Sequence, residues 1–189
     1  MGANSANPSA GAAAPTGMWR TLLVPHDFSS CADHALELAV GLAKTHAAEI
    51  VLAHVSSLGP NVPADAFLTP PGEASAVRLA DYVAKDARAR LDAVASRARE
   101  LGAPSVRAVA VVSTRTGIVE ELLQLAREVR ADVFVAGTHG RTGLSHVLVG
   151  SVTERLVRLS PIPVVTLRSK GPDAAPTLGE SVADDEATG

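Results

Sequence analysis

The sequence predicts an α/β domain in three layers: an open, doubly wound, five-stranded parallel sheet with helices on both faces. Three observations carry that expectation. Short apolar runs without polar alternation recur along the chain, as strands buried on both faces require. Longer segments with apolar residues every three or four positions lie between them, which is the helical period. The two kinds of segment alternate, and with right-handed crossovers such alternation builds a parallel sheet.

The elements follow in order. Thr21-Leu22-Leu23-Val24 is the first strand, stopped by Pro25. Ser29 and Ser30 are suited to cap a helix that carries Leu36, Ala39, Val40 and Ala43 on one face. Ile50–Val55 is the second strand. The segment Val77–Leu101 places apolar residues at 77, 80, 84, 87, 91, 94, 98 and 101, a helical spacing; half of these are alanine, which suits packing on a sheet better than a coiled coil. Val106–Val112 is the third strand, and Ile118, Leu122, Leu125 and Val129 mark the next helix. Asp132–Ala136 is the fourth strand, Val152, Leu156 and Leu159 line a last helix, and Ile162–Leu167 closes the series. Pro163 has no N–H for a ladder, which places that last strand at an edge.

Composition bounds the rest. Residues 1–18 carry no charged side chain and mix Ala, Gly, Ser, Asn and Pro, so they read as a flexible tail; Met18 is an alternative start. Residues 169–189 set Lys170 against Asp173, Glu180, Asp184, Asp185 and Glu186 and read as an acidic flexible tail around a domain spanning 19–168. With 17 Lys+Arg against 20 Asp+Glu, the chain lacks the basic excess of a polybasic nucleic-acid binder. A hydrophobic content of 47% excludes a wholly disordered chain. Cys31 is the single cysteine, which excludes an internal disulfide and a thiolate zinc cluster and favours a reducing, cytoplasmic setting. The sequence has neither a secretory leader pattern nor an apolar stretch of the ~18 residues that a membrane helix needs.

Ligands of such a sheet bind beyond the carboxyl ends of the strands, where strand order reverses. The segments after strands one and four are therefore the informative ones: Pro25-His26-Asp27-Phe28-Ser29, and Gly137-Thr138-His139-Gly140-Arg141-Thr142-Gly143 with Gly150-Ser151 opening a helix. Gly137 and Gly140 permit backbone angles that turn N–H groups into an anion nest, and Gly150-Ser151 sets a hydroxyl and N–H donors at a helix N-terminus; this is chemistry suited to phosphate. His139, Arg141 and Arg155 would add positive charge. The competing reading is a plain glycine-rich loop in which Ser151 only caps. Asp27 would repel bare phosphate, so it is expected to face a ribose hydroxyl, a base amino group or a metal; its competing reading is an N-cap. The segment Ser56–Glu73 is long for this fold, which marks it as a candidate lid or partner surface; with Pro60, Pro63, Pro70 and Pro71 it reads as a stiff surface loop that carries no chemistry we can name.

No Gly-x-x-x-x-Gly-Lys-Ser/Thr run occurs, and no Gly-x-Gly-x-x-Gly follows the first strand. The histidines at 26, 34, 46, 54, 139 and 146 have no carboxylate at metal-ligand spacing, and His54 reads as a hydrogen-bonded structural residue. Cys31 reads as an inert core residue, and no nucleophile–base pair can be assigned.

Gly137-x-x-Gly140 followed after nine residues by Gly150-Ser151 resembles the signature loop of the universal stress protein family. The resemblance spans about residues 19–168 and includes Val24-Pro25-His26-Asp27-Phe28-Ser29, Leu52-Ala53-His54-Val55 and Pro161-Ile162-Pro163-Val164-Val165. It implies the family's five-stranded nucleotide-binding fold (adenine nucleotide alpha-hydrolase-like) and, since the loop is complete, its ATP-binding branch. By that resemblance Pro25, His26, Asp27 and Val55 surround the nucleoside; Ala136, Gly137, His139 and Gly140 line the ribose–phosphate path; Gly150, Ser151 and Val152 hold the phosphates. The resemblance further implies that magnesium or manganese accompanies the triphosphate and that a homodimer forms through the last strand, 162–167. Ala136 stands where a larger apolar residue is frequent in the family. The expected role is a nucleotide-dependent switch in the stress response. The alternatives are a slow ATP hydrolase or phosphotransferase, or a dimeric interaction module without nucleotide.

Overall fold

β1 (Thr21–Pro25) occupies the centre of the sheet, and Leu22, Leu23 and Val24 are fully buried because both of its faces are covered. This is a computed structural model that describes residues 18–59, 61–63, 65–114, 116–138 and 150–168. The chain continues through α1 (Ser30–His46), β2 (Glu49–Ser57), β3 (Phe67–Leu68), β4 (Val77–Arg78), α2 (Leu79–Glu100) and β5 (Ser105–Ser113). It then forms α3 (Ile118–Glu128), β6 (Val133–Gly137), α4 (Ser151–Leu159) and β7 (Val164–Leu167). Five strands make one sheet in the order β5-β2-β1-β6-β7, every pair parallel. The three-layer architecture is the one the alternation predicts.

Side chains alternate between the two faces with the strand period of two. Leu22, Val24, Ile50, Leu52, Val133 and Val135 pack with Leu36, Ala39 and Val40 of α1 and Leu91, Ala95 and Ala98 of α2. Leu23, Val51, Ala53, Val55 and Phe134 pack on the other side with Val119, Leu122 and Leu125 of α3 and Leu156 of α4. Small residues on α1 and α2 let these helices lie close to the sheet. Each fully buried leucine, such as Leu91, is worth about 2–5 kcal/mol against alanine.

The long helix starts later than its spacing predicts. Val77 and Arg78 pair antiparallel with Leu68 and Phe67, and the Leu79 N–H donates to the Ala66 carbonyl at 2.8 Å, so α2 begins at Leu79. At its other end Leu101 is the C-cap and is exposed rather than core. Ser56 and Ser57, expected in a loop, extend β2 opposite Val112 and Ser113. The last strand is shorter than 162–167. The Ile162 N–H and carbonyl both bond the Ser160 hydroxyl in a turn, and Pro163 offers only its carbonyl, to Phe134 N at 2.9 Å. β7 does lie at an edge, as Pro163 implies. Apart from Met18, the tail segments 1–18 and 169–189 lie outside the described residues.

Candidate functional site

β1 and β6 are neighbours in the sheet, and the chain leaves them toward opposite sides: β2 and β5 lie beyond β1, β7 beyond β6. The crevice past their carboxyl ends is a cavity of about 580 Å³. Pro25, His26, Asp27, Val55, Ala136, Gly137, Gly150, Ser151 and Val152 all line it. His139 and Gly140, like Arg141, lie outside the described residues.

The loop after β1 is locked by its own side chains. Asp27 Oδ1 accepts from the Ser29 N–H at 3.1 Å and from the Ser29 hydroxyl at 2.6 Å. Asp27 is therefore not the N-cap of α1. That place belongs to Ser29, whose Oγ accepts from Ala32 N. His26 Nδ1 accepts from the Phe28 N–H at 3.1 Å, and Phe28 adopts φ 65, a left-handed conformation uncommon for a bulky residue.

The His26 ring is buried in the protein. Nε2 faces Asp33 Oδ1 at 3.4 Å and is the one buried side-chain polar atom among the described residues without a hydrogen-bond partner. Burial pushes the His26 pKa below its ordinary value, against the opposing pull of Asp33 and Asp27. Geometry agrees, because an Nδ1 that accepts from a backbone N–H carries no proton. Asp33 in turn meets Arg97 at 3.3 Å, so its charge is already partnered.

β2 outruns β1. The last paired residues are Pro25 and Ala53, where His26 N donates to the Ala53 carbonyl at 2.7 Å. His54 Nδ1 then donates to the His26 carbonyl at 2.7 Å, the group to which Val55 N–H would have bonded had the ladder continued. Peptide groups alternate sides along a strand, so the Val55 N–H and carbonyl point the same way as those of Ala53, toward the space β1 has left. Val55 thus presents an in-plane donor–acceptor edge to the cavity. His54 is the hydrogen-bonded structural histidine its place in a strand suggests.

At the other end, Gly137 works differently from the anion nest expected of it. It belongs to β6 and its φ is not left-handed; a Cβ there would come within 2.7 Å of Cys31 Sγ and 2.9 Å of the Cys31 carbonyl. Gly137 is needed so that α1 can close on the end of β6. The Gly150 N–H donates to the Thr138 carbonyl, which ties the two ends of the glycine loop together. Gly150 is the N-cap of α4, and no side chain among the described residues caps that helix. The Glu154 N–H returns to the Gly150 carbonyl, so among the described residues the first-turn N–H groups of Ser151, Val152 and Thr153 are left without a helical partner. The Thr153 hydroxyl pins α4 to β6 through the Gly137 carbonyl at 2.7 Å. Arg155, expected near the phosphate region, instead pairs with Glu120 at 2.5 Å and does not line the cavity.

Further walls come from Phe28, from Ile118 and Leu122, read from the sequence only as helix core, and from Val83, Asp86 and Arg90, which the sequence reading did not single out. Val83, Ala87 and Arg90 stand one helical turn apart on one face of α2, a spacing visible in the sequence. An apolar count passes over it because it ends in a charge.

Comparison with known proteins identifies the family and the fold. Residues 18–168 match the universal stress protein family. The universal stress protein MJ0531 of Methanocaldococcus jannaschii is 27% identical over 156 residues, covering 80% of this chain and 83% of its own. The structure of MJ0577, 23% identical, superposes with a TM-score of 0.64 over 82% of this chain and 99% of that one. A universal stress protein solved in complex with cAMP is 26% identical, with a TM-score of 0.58 over 79% of this chain and 97% of that one.

Proposed function

The chain belongs to the universal stress protein family, and from that premise we propose that it binds an adenine nucleotide, ATP, in the crevice between β1 and β6 and acts as a nucleotide-dependent switch in the stress response. One observation carries the reading. A single cavity joins an open peptide edge at Val55 to the N-terminus of α4, which no described side chain caps. The first complements the hydrogen-bonding edge of a base, and the second attracts phosphate through unpaired N–H groups and the helix dipole. The cAMP complex of a related chain supports an adenine nucleotide.

In this reading Pro25 and Val55 hold the base, Asp27 the ribose and Ala136 and Gly137 the passage between. His26 acts through the loop it locks. Ser151 and Val152 receive phosphate with their N–H groups, and Gly150 sets the start of the helix. His139 and Gly140, outside the described residues, belong in this reading to the ribose–phosphate path. Magnesium or manganese would accompany the triphosphate and help to neutralise its charge; among the described residues no three His, Cys, Asp or Glu side chains converge. A cytoplasmic setting fits the single cysteine, and no helix among the described residues is long and apolar enough to cross a membrane. The edge strand β7, with Val164, Val165 and Leu167 half-buried beside the exposed Val157 and Leu159 of α4, is the surface through which a homodimer would form.

The test is to denature the purified protein, chromatograph what it releases, and titrate the stripped chain with ATP. Adenine nucleotide near one per chain is expected. A chain that carries none and binds none contradicts the proposal, and ADP accumulating with time would make it a hydrolase instead of a switch.

A further inference from the structure

The open edge of Val55 points along the plane of the sheet, so a flat group that pairs with it lies in that plane, where β1 has left it. Its two faces then meet the two helix layers. On one side are Ile118 and Leu122 of α3; on the other are Phe28 and Arg90. The guanidinium carbon of Arg90 sits 3.9 Å from the centre of the Phe28 ring, and that ring is itself held against His54 at 4.5 Å. Other arginines of α2 are spent elsewhere: Arg88 on Asp92, Arg97 on Asp33 and Glu37, Arg99 on the Val106 carbonyl. Arg90 forms no ion pair with any described residue, Asp86 one turn away included, although both line the cavity. The Phe28 backbone is kept in its left-handed conformation by His26 and Asp27, a strained arrangement maintained at the cavity wall.

We propose that Phe28 and Arg90 form a stacking wall that reads the size of the base. The guanidinium, backed by the Phe28 ring, lies flat on one face of the nucleobase while Ile118 and Leu122 cover the other. Two fused rings offer that wall more stacking area than one ring does, so the wall favours purine over pyrimidine nucleotides. A guanidinium suits this place because it is planar, weakly hydrated and stacks on aromatic faces, which an ammonium does not. The inference rests on the nucleotide reading above and adds a residue that reads the base.

The experiment measures Kd for ATP and for UTP with the full chain and with Arg90→Ala and Arg90→Lys. Arg90 is exposed, so both variants are expected to keep the wild-type melting temperature. The wild type is expected to prefer ATP. In Arg90→Ala, ATP affinity should fall on the order of tenfold with UTP little changed, so that the preference shrinks by the same factor. Arg90→Lys should resemble Arg90→Ala, since it keeps the charge and loses the plane. Equal losses for both nucleotides, restored by lysine, would make Arg90 a charge acting on phosphate and overturn the stacking wall. An unchanged ATP-to-UTP ratio in Arg90→Ala, or a wild type without preference, would overturn it while leaving nucleotide binding intact. A wild type that binds neither nucleotide removes both proposals.

Discussion

Asp27 Oδ1 is committed to Ser29 by two hydrogen bonds, so removing the side chain and removing only its charge have different consequences. Asp27→Ala should lose about 1 kcal/mol of stability with the turn it braces, and nucleotide affinity as well. Asp27→Asn keeps an oxygen acceptor and should melt near the wild type, yet bind ATP on the order of tenfold more weakly through the lost charge-assisted bond. Titration calorimetry beside thermal melting separates the two, and an Asp27→Asn chain with unaltered affinity would leave Asp27 a purely structural brace. His26 gives a second prediction. Its folded-state pKa lies below the ordinary value of 6.5, so both folded and unfolded chains hold it neutral above that pH. As pH falls through 6.5 the unfolded chain takes up a proton that the folded one refuses, and stability is lost down to the folded pKa. Urea unfolding at pH 7.5 and 5.5 should show a drop that is smaller in His26→Gln. Equal drops would mean that His26 is not the group responsible.

At the scale of elements, α1 ends on Ala47 at φ 53, with its N–H bonded to the Ala43 carbonyl, a left-handed position that favours glycine. Ala47 is exposed, so Ala47→Gly loses no packing and should raise stability by about 0.5–1 kcal/mol, measured by denaturant unfolding. Destabilisation would contradict the cap geometry. The main strands were legible because a strand covered on both faces has to be apolar at successive positions, as Leu22, Leu23 and Val24 are. The start of α2 was not, because Val77 satisfies a helical step and a pleated pair equally, and only its partner Leu68, met in the fold, decides. Part of the site was legible for an equally physical reason: Asp27, Gly137 and Gly150 lie in the segments expected after the first and fourth strands, and strand ends in such a sheet converge, whereas Val55 came only with the family resemblance. Arg90 reaches the cavity from mid-helix across a core helix face, and nothing about a charge on α2 announces which side it takes. Gly137 was found for one reason and is required for another, because contact with Cys31 depends on how close α1 comes to β6.

At the scale of the whole molecule, one topological fact does most of the functional work. Because β1 lies between β2 and β6, the chain must leave the sheet in two directions at one point, and the crevice so formed is walled by all four helices. Nothing in the strands themselves needs a ligand: the core closes beneath the crevice, with Leu22, Leu23 and Phe134 fully buried. A nucleotide therefore adds to a preformed site, and at a hundredfold excess over Kd it should stabilise the fold by about 2.7 kcal/mol. The most direct measurement is an amide chemical-shift titration of the labelled chain with ATP. Saturable shifts are predicted at Val55 and at Ser151, Val152 and Thr153, at opposite ends of the cavity and with one common Kd. Shifts confined to one of these ends, or absent from both while other surfaces respond, would contradict a nucleotide laid across the switch point.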